Sequence, residues 1–312
     1  MWAARIHQYG GRETLRYEEA PDPTLRDDDV RVRVHAAAVN PVDWKIREGR
    51  LAGVLGHTLP LVLGWDLSGV VEAVGPAVTD VAVGDEVYAR PDIGRDGAYA
   101  ELIAVRASEV APKPRSLSHV EAAAVPLTAL TAWQSLFEAA SLKAGQRVLV
   151  HGGAGGVGGF AVQLAKRAGA EVIATASAPN AGYVRELGAD RVIDYQREAF
   201  EEVSGEVDVV LDTIGGEVQA RSYPVLRKGG TLVSIIATPD VAVAEAHGVR
   251  GAFVFVQPSR AGLVAIAEHI DAGAVRVFVR ERFALKDVAE AHRLIETGHG
   301  RGKLVLTIPG AG

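Results

Sequence analysis

The sequence predicts an α/β protein in which a parallel, doubly wound sheet is inserted into a β-rich domain. Three observations carry that prediction. A glycine-rich turn stands between a short apolar strand and an amphipathic helix near the middle of the chain; strand and helix patterns alternate from there onward; and the flanking segments read as short strands punctuated by Gly, Pro and Asp.

The elements follow in order. Residues 29–37 alternate with period two, placing Val30, Val32 and Val34 on one face and Arg31 and Arg33 on the other. Similar runs at 69–74 and 81–88 complete a compact barrel or bent sheet. The texture shifts near Ser118, which has the spacing of a capping box with Glu121 and opens an apolar helical stretch over 128–140. Then come strand 147–150, the glycine turn, helix 157–167, strand 171–174, helix 180–187, strand 191–193, and further strands at 207–211, 231–236 and 251–256. That alternation is the mark of a parallel sheet with helices on both faces. Residues 275–308 return to strand, helix (286–297) and strand (303–308), and are expected to pack back on the first domain.

Bulk composition excludes several function classes. The chain has 312 residues, 48% of them hydrophobic, which suits a globular protein with a sizeable core. A formal net charge of -6 and the absence of any block of like charges argue against nucleic acid as a partner. There is no cysteine, which excludes disulfides, thiolate catalysis and sulfur-ligated zinc. The first residues include Arg5, His7 and Gln8 rather than an apolar secretory core, and no charge-free apolar run reaches membrane-spanning length. A cytoplasmic protein with no membrane partner is expected.

The turn reads HGGAGGVGGF, in which Gly153, Gly155 and Gly158 satisfy G-x-G-x-x-G, with Ala154, Gly156 and Val157 between them. Small residues let the backbone approach a pyrophosphate, whose charge is met by free amides and the positive end of the helix dipole. Glycine turns also join strands to helices for steric reasons alone, and it is the strand-helix-strand setting that favours a dinucleotide. The second strand ends in Thr175, Ala176 and Ser177, with no carboxylate to hold the ribose hydroxyls of NADH. NADP(H) is therefore favoured, with Ser177 as a donor to its 2'-phosphate or, alternatively, as a simple helix cap. Asn180 and Tyr183 follow where a basic residue would strengthen the clamp, and Arg185 lies further on.

Across the whole chain, the strings VNPVDWKIREG, LGWDLSGVVEAVG, PLTALTAW, ELGADRVIDY, DTIGG, RKGGTLVSI and GKLVLTI, with the glycine turn, resemble the zinc-free quinone oxidoreductase branch of the medium-chain dehydrogenase/reductases. The resemblance implies a Rossmann doubly wound parallel sheet (119–260) inserted in a GroES-like β-rich substrate domain (1–118 and 261–312). It also implies NADPH as hydride donor, a quinone or α,β-unsaturated carbonyl as substrate, and a homodimer. Zinc-dependent relatives carry a cysteine where this chain has Asn40 and a histidine where it has Trp65, before Asp66. Carried over residue by residue, the turn from Gly153 to Gly158 surrounds the pyrophosphate, Ser177 and Tyr195 flank the adenosine phosphate, and Asn40 and Thr131 approach the nicotinamide. Ile236, Val254 and Val256 pass beneath that ring. Lys303 sits where relatives reach back to the cofactor, with a solvated surface lysine as the alternative. Asn180 departs from a lysine found in some quinone oxidoreductases.

Hydride addition to an enone builds negative charge on the carbonyl oxygen, which needs a donor or cation, and then requires a proton at the α-carbon. Lys45, beyond Asn40, Pro41 and Asp43, is the candidate catalytic residue; a loop lysine in water is the alternative. Trp44 and Trp65 could wall a flat apolar pocket but are more often core. His57, in a glycine-rich loop, could relay a proton, although such histidines are usually solvated. Tyr99 has no evident partner in the sequence, and Asp212 reads as a residue that holds its own turn. Two other readings stay open: a non-catalytic NADPH-binding protein of the zeta-crystallin type, and an enoyl reductase for carrier-bound chains, which would want a basic docking surface.

Overall fold

The computed structural model describes residues 1–298 and 300–309. At its centre lies a six-stranded sheet of Arg147–Val150, Glu171–Ala176, Arg191–Asp194, Val207–Asp212, Leu226–Ser234 and Arg250–Phe253. Every neighbouring pair is parallel. Numbered in chain order, the strands stand 3-2-1-4-5-6, so the topology reverses between the first and fourth strands and leaves a crevice at their carboxyl ends. Val148, Leu149 and Val150 are wholly buried because helices cover both faces of the sheet. The helix Gly156–Arg167 buries Phe160, Ala161, Leu164 and Ala165 against it and carries Lys166 and Arg167 in its last turn, where cations oppose the helix dipole.

Several expectations for this region differ in their bounds, and the sixth strand, expected over 251–256, ends at Phe253 because the last pair of its ladder is Ser234 with Phe253. The fifth strand runs Leu226–Ser234, because Leu226 already pairs with Val207 ahead of a bulge in the ladder; Ile235 and Ile236 lie beyond the last strand pair. The single helix expected over 128–140 is Pro126–Trp133 continued by a π-helix, Gln134–Ala139. Where the turn widens, Gln134 Nε2 donates to the Gln257 carbonyl (2.9 Å) while the Gln257 amide donates to Gln134 Oε1 (3.0 Å). Gln163 repeats the device with Arg276, accepting from its amide at 2.7 Å and donating to its carbonyl at 3.1 Å. These two clamps fasten both ends of a segment whose middle is the helix Arg260–Asp271.

The β-rich part is a seven-stranded sheet. Val279–Ala284, Lys303–Thr307, Asp29–Val39, Leu67–Val74, Glu86–Ala89 and Val110–Pro112 stand side by side, and Leu102–Arg106 also pairs with Asp29–Val39. As the alternation predicts, Val30, Val32 and Val34 are buried, while Arg31 and Arg33 share Glu72 on the other face. The last strand joins this sheet antiparallel to residues 36–39, so the chain does return to its first domain. The capping box forms, with Glu121 accepting from the Ser118 amide at 2.9 Å. Trp2–Ile6, Leu15–Glu19 and Leu61–Val62 make a small separate sheet. Tyr88 donates its hydroxyl to the Leu263 carbonyl at 2.5 Å, fixing the clamped helix to the β-rich part. Among the described residues no helix is long and apolar enough to cross a membrane.

Candidate active site

The glycine turn occupies the carboxyl end of the first strand, beside the crevice. Gly152 takes a positive φ of 67°, and its amide donates to Thr175 Oγ1 (3.1 Å), while the Gly153 amide donates to the Thr175 carbonyl (2.9 Å). The turn is thus stitched to the second strand. Gly158 is required by packing: a Cβ there would stand 2.2 Å from the Gly152 carbonyl oxygen. The amides of Gly156, Val157 and Gly158, in the first turn of the helix, have no partner within it and are the donors that a helix N-terminus offers an anion. A groove beside them is lined by Gly155, Gly156, Gly159, Tyr183, Phe278 and Lys303. The glycine cradle and these amides fit a dinucleotide pyrophosphate. Ala154 is buried beside the turn and Val157 half-buried in the first turn of the helix.

Ser177 and Tyr195 are brought together at the ends of the second and third strands, since Ala176 pairs with Asp194 and the Tyr195 amide donates to the Ala176 carbonyl at 3.3 Å. Tyr195 is exposed. Ser177 Oγ accepts from Asn180 Nδ2 at 3.1 Å, which leaves its own hydroxyl proton free to donate outward.

On the other side of the crevice, Ile236 follows the fifth strand and remains exposed; Val254 follows the sixth, with its amide donating to the Ser234 carbonyl at 2.9 Å, and Val256 is buried. Asp212, at the end of the fourth strand, holds its own turn, as its position suggested. Its Oδ1 accepts from the Ile214 and Gly215 amides (2.9 and 2.8 Å), and its Oδ2 from Ser234 Oγ at 2.8 Å. His151 is buried between Thr175 Oγ1 and Ser222 Oγ, and burial brings its pKa down to about 4, so it stands neutral.

The substrate-side residues meet in a buried polar cluster that sequence reasoning did not assemble. Asn40 caps the helix Pro41–Arg47 and donates its amide to Asp43 Oδ2 at 2.7 Å. Its side-chain Nδ2 donates to Asp66 Oδ2 at 2.8 Å, and its Oδ1 accepts from Lys303 Nζ. Both ends of the Asn40 amide are therefore occupied. Asp66 Oδ1 accepts from the Leu127 amide at 2.6 Å, at the start of the helix that carries Thr131. Thr131 spends its proton on the Leu127 carbonyl (2.6 Å), leaving only acceptor capacity. Tyr99, without a partner in the sequence reading, donates to Asp43 Oδ2 at 2.7 Å. Lys303 is buried, which removes the solvated-surface alternative. Burial raises the carboxyls of both aspartates, Asp43 to about 7, and lowers the Lys303 ammonium.

Lys45 lies on the same helix, half-buried, and its ammonium makes no ion pair or hydrogen bond among the described residues; its Nζ is 6.0 Å from the Trp44 ring centroid. Burial and then the Arg50 charge lower its pKa. Trp65 is core, wholly buried, with its Nε1 donating to the Arg95 carbonyl at 3.1 Å. His57 stacks on Trp65 with centroids 5.8 Å apart and bonds the Ile93 carbonyl at 2.7 Å, so the loop is anchored there. Trp44 is half-buried beneath the Arg50 guanidinium, 4.5 Å from its ring. Among the described residues no group of three or more His, Asp or Glu is placed to hold a metal ion.

Comparison with known proteins gives the same two-part picture. Residues 26–115 match the alcohol dehydrogenase GroES-like domain family, and residues 187–306 match the family described as zinc-binding dehydrogenase. The chain is 35% identical to the mitochondrial NAD(P)H oxidoreductase RTN4IP1 of Danio rerio, over 97% of this chain and 90% of that one. It is 36% identical to the chloroplastic NADPH-dependent alkenal/one oxidoreductase of Arabidopsis thaliana, over 96% and 77%. The quinone oxidoreductase of Coxiella burnetii superimposes with a TM-score of 0.90 at 34% identity, covering 98% and 99% of the two chains.

Proposed function

Because the chain belongs to the quinone oxidoreductase branch of the medium-chain dehydrogenase/reductases, we propose that it is an NADPH-dependent oxidoreductase that reduces a quinone or an α,β-unsaturated carbonyl without zinc. The observation that carries this reading is a glycine cradle at the dinucleotide crevice joined, through Lys303, to the cap of the helix Pro41–Arg47, on which Lys45 is half-buried with an ammonium that makes no ion pair or hydrogen bond among the described residues.

NADPH, when bound, supplies the hydride. The amides from Gly156 onward and the cradle from Gly153 to Gly158 hold its pyrophosphate. Ser177 and Tyr195 take the phosphorylated ribose and adenine, and the absence of a carboxylate at the end of the second strand leaves the 2'-phosphate unopposed. Ile236, Val254 and Val256 give the nicotinamide an apolar floor, with Thr131 opposite. Lys45 meets the carbonyl oxygen on which charge develops, a task for which an ammonium held out of bulk water is well suited. No buried side chain is assigned to the α-carbon proton, which comes from solvent. In a zinc enzyme the metal would polarise that oxygen; here the cysteine-free sequence leaves the task to a side chain.

A homodimer and a cytoplasmic location belong to the same reading. Among the described residues the sixth strand is paired on one side only and leaves Phe253 and Phe255 exposed, at 42% and 41%. Such an edge is a template for a second copy. The mass of the particle in solution checks this.

Steady-state NADPH oxidation against a panel of quinones, enals and enones tests the function. Turnover with at least one class, and a clear preference for NADPH over NADH, is expected. Tight NADPH binding without turnover of any of them would leave a nucleotide-binding protein in place of an enzyme.

A further inference from the structure

Lys303 reaches the site from the last strand, Lys303–Thr307, which stands second from the edge of the β-rich sheet. Its stem passes the glycine turn so closely that a Cβ on Gly156 would lie 3.4 Å from its Cδ. The ammonium then turns away into the protein. Its acceptors are the Val39 carbonyl (3.1 Å), Asn40 Oδ1 and Asp66 Oδ2 (3.4 Å), and an ammonium has only three protons to give.

Each of these acceptors fixes something else. Asn40 caps the helix that carries Trp44 and Lys45, and its Nδ2 closes a triangle with Asp66. Asp66 in turn holds the Leu127 amide, in the first turn of the helix that carries Thr131. We propose that Lys303 is a positioning residue, a buried cation that sets the helices Pro41–Arg47 and Pro126–Trp133 against the glycine turn, and not a ligand of the cofactor. This rests on the reductase reading only for its kinetic consequence.

The charge balance supports it. Asp43 and Asp66 are both wholly buried, and Lys303 is the only cation hydrogen-bonded to either of them among the described residues. Arg90 is buried nearby and contributes its field to both carboxylates without bonding them. Remove the ammonium, and Asp66 becomes a buried anion with no bonded cation while Asn40 loses the donor that fixes its amide. The Leu127 amide and the helix cap then loosen together.

The test is Lys303→Met, which keeps the stem along Gly156 and deletes only the charge. With the full-length protein, the dissociation constant for NADPH from fluorescence titration should change by less than about threefold, while kcat falls about tenfold or more. Hydrogen exchange at the Leu127 amide and across residues 40–47 should quicken. If NADPH binding weakens about tenfold while kcat at saturating cofactor is kept, Lys303 is a cofactor ligand and the proposal fails. Where Lys303→Met does not fold, the charge-balanced Lys303→Met/Asp66→Asn replaces it; exchange over 40–47 should still be fast, and full recovery of kcat would show that charge neutrality alone matters, overturning the positioning role. A wild-type protein that turns over nothing would defeat the function reading, yet the exchange measurement still decides this one, since unchanged exchange in the variant would defeat it separately.

Discussion

Tyr99 donates its hydroxyl to Asp43 Oδ2 at 2.7 Å with both side chains wholly buried. Burial drives the Asp43 carboxyl up to about 7, against the pull of the Tyr99 hydroxyl, the Asn40 amide and the Lys303 charge, from an ordinary value of 3.8. Between those values the folded chain holds a proton that the unfolded chain has lost. The stabilising contribution is therefore complete below about pH 4 and disappears as the pH rises to about 7, by roughly 4 kcal/mol at about 1.4 kcal/mol per unit. Asp43→Asn keeps the shape of the neutral acid. In urea titrations from pH 5 to 8, the wild type should lose stability relative to this variant as pH rises; parallel curves would show that Asp43 is ionised throughout. Tyr99→Phe removes a bond that favours the carboxylate and should move the window to higher pH.

Two glycines of the phosphate turn should respond differently to one added methyl. A Cβ at Gly158 meets the Gly152 carbonyl at 2.2 Å, whereas at Gly155 its nearest neighbour is the same oxygen at 3.3 Å. Gly158→Ala should destabilise the cofactor-free protein by about 1–3 kcal/mol, the usual cost of overpacking, and Gly155→Ala by much less. Thermal melts without NADPH make the comparison, and equal shifts would contradict the backbone geometry.

Cofactor preference is expected to depend on the end of the second strand. Ser177→Asp should weaken NADPH about tenfold or more, roughly 1.4 kcal/mol, and leave NADH little changed or improved. Asn180 already bonds Ser177 Oγ, so Asn180→Lys places a cation next to the same hydroxyl and should strengthen NADPH binding. Calorimetric titration with both nucleotides reads the ratio.

Lys45→Met should lower kcat/KM for an enone by about a hundredfold, the usual loss when one charge-stabilising donor is removed, with little change in NADPH binding. Because burial and the neighbouring Arg50 both lower the Lys45 pKa, activity should fall at a pH below that of a free lysine. Arg50→Ala should shift that basic limb upward. A limb that stays in place would show that another group controls it.

Much of the dinucleotide half was legible because its signals are local. The run from Arg147 to Val150, the glycines after it and the amphipathic helix sit within one short stretch, and each has a period or a backbone requirement visible in the residues themselves. The capping box at Ser118 is local in the same sense. The π-helix at Gln134–Ala139 was not legible, because the carbonyl and amide that engage Gln134 belong to Gln257. Nor was the buried cluster. Tyr99 and Asp43 come from different elements, and Lys303 finds Asn40 from the other end of the chain; no periodicity links such residues, and a buried ammonium looks in sequence like any surface lysine. Trp65 reads as core from its residue type and Asp212 as the holder of its own turn from its place at a strand end, and burial and hydrogen bonding agree.

The position of the strand Lys303–Thr307 bears on how the protein is made. It lies between Asp29–Val39 and Val279–Ala284, yet it is synthesised after both. The dinucleotide sheet draws all its strands from residues 147–253 and can close while the ribosome is still adding the remainder. Through that interval the strand Asp29–Val39 has one edge without its final partner, and Asp66 and Asn40 are without their ammonium. In that interval the glycine turn can be in place while the cap of the helix Pro41–Arg47 is not yet tied to it. That interval, with an apolar strand edge waiting in solution, is also when a chaperone would have most to do.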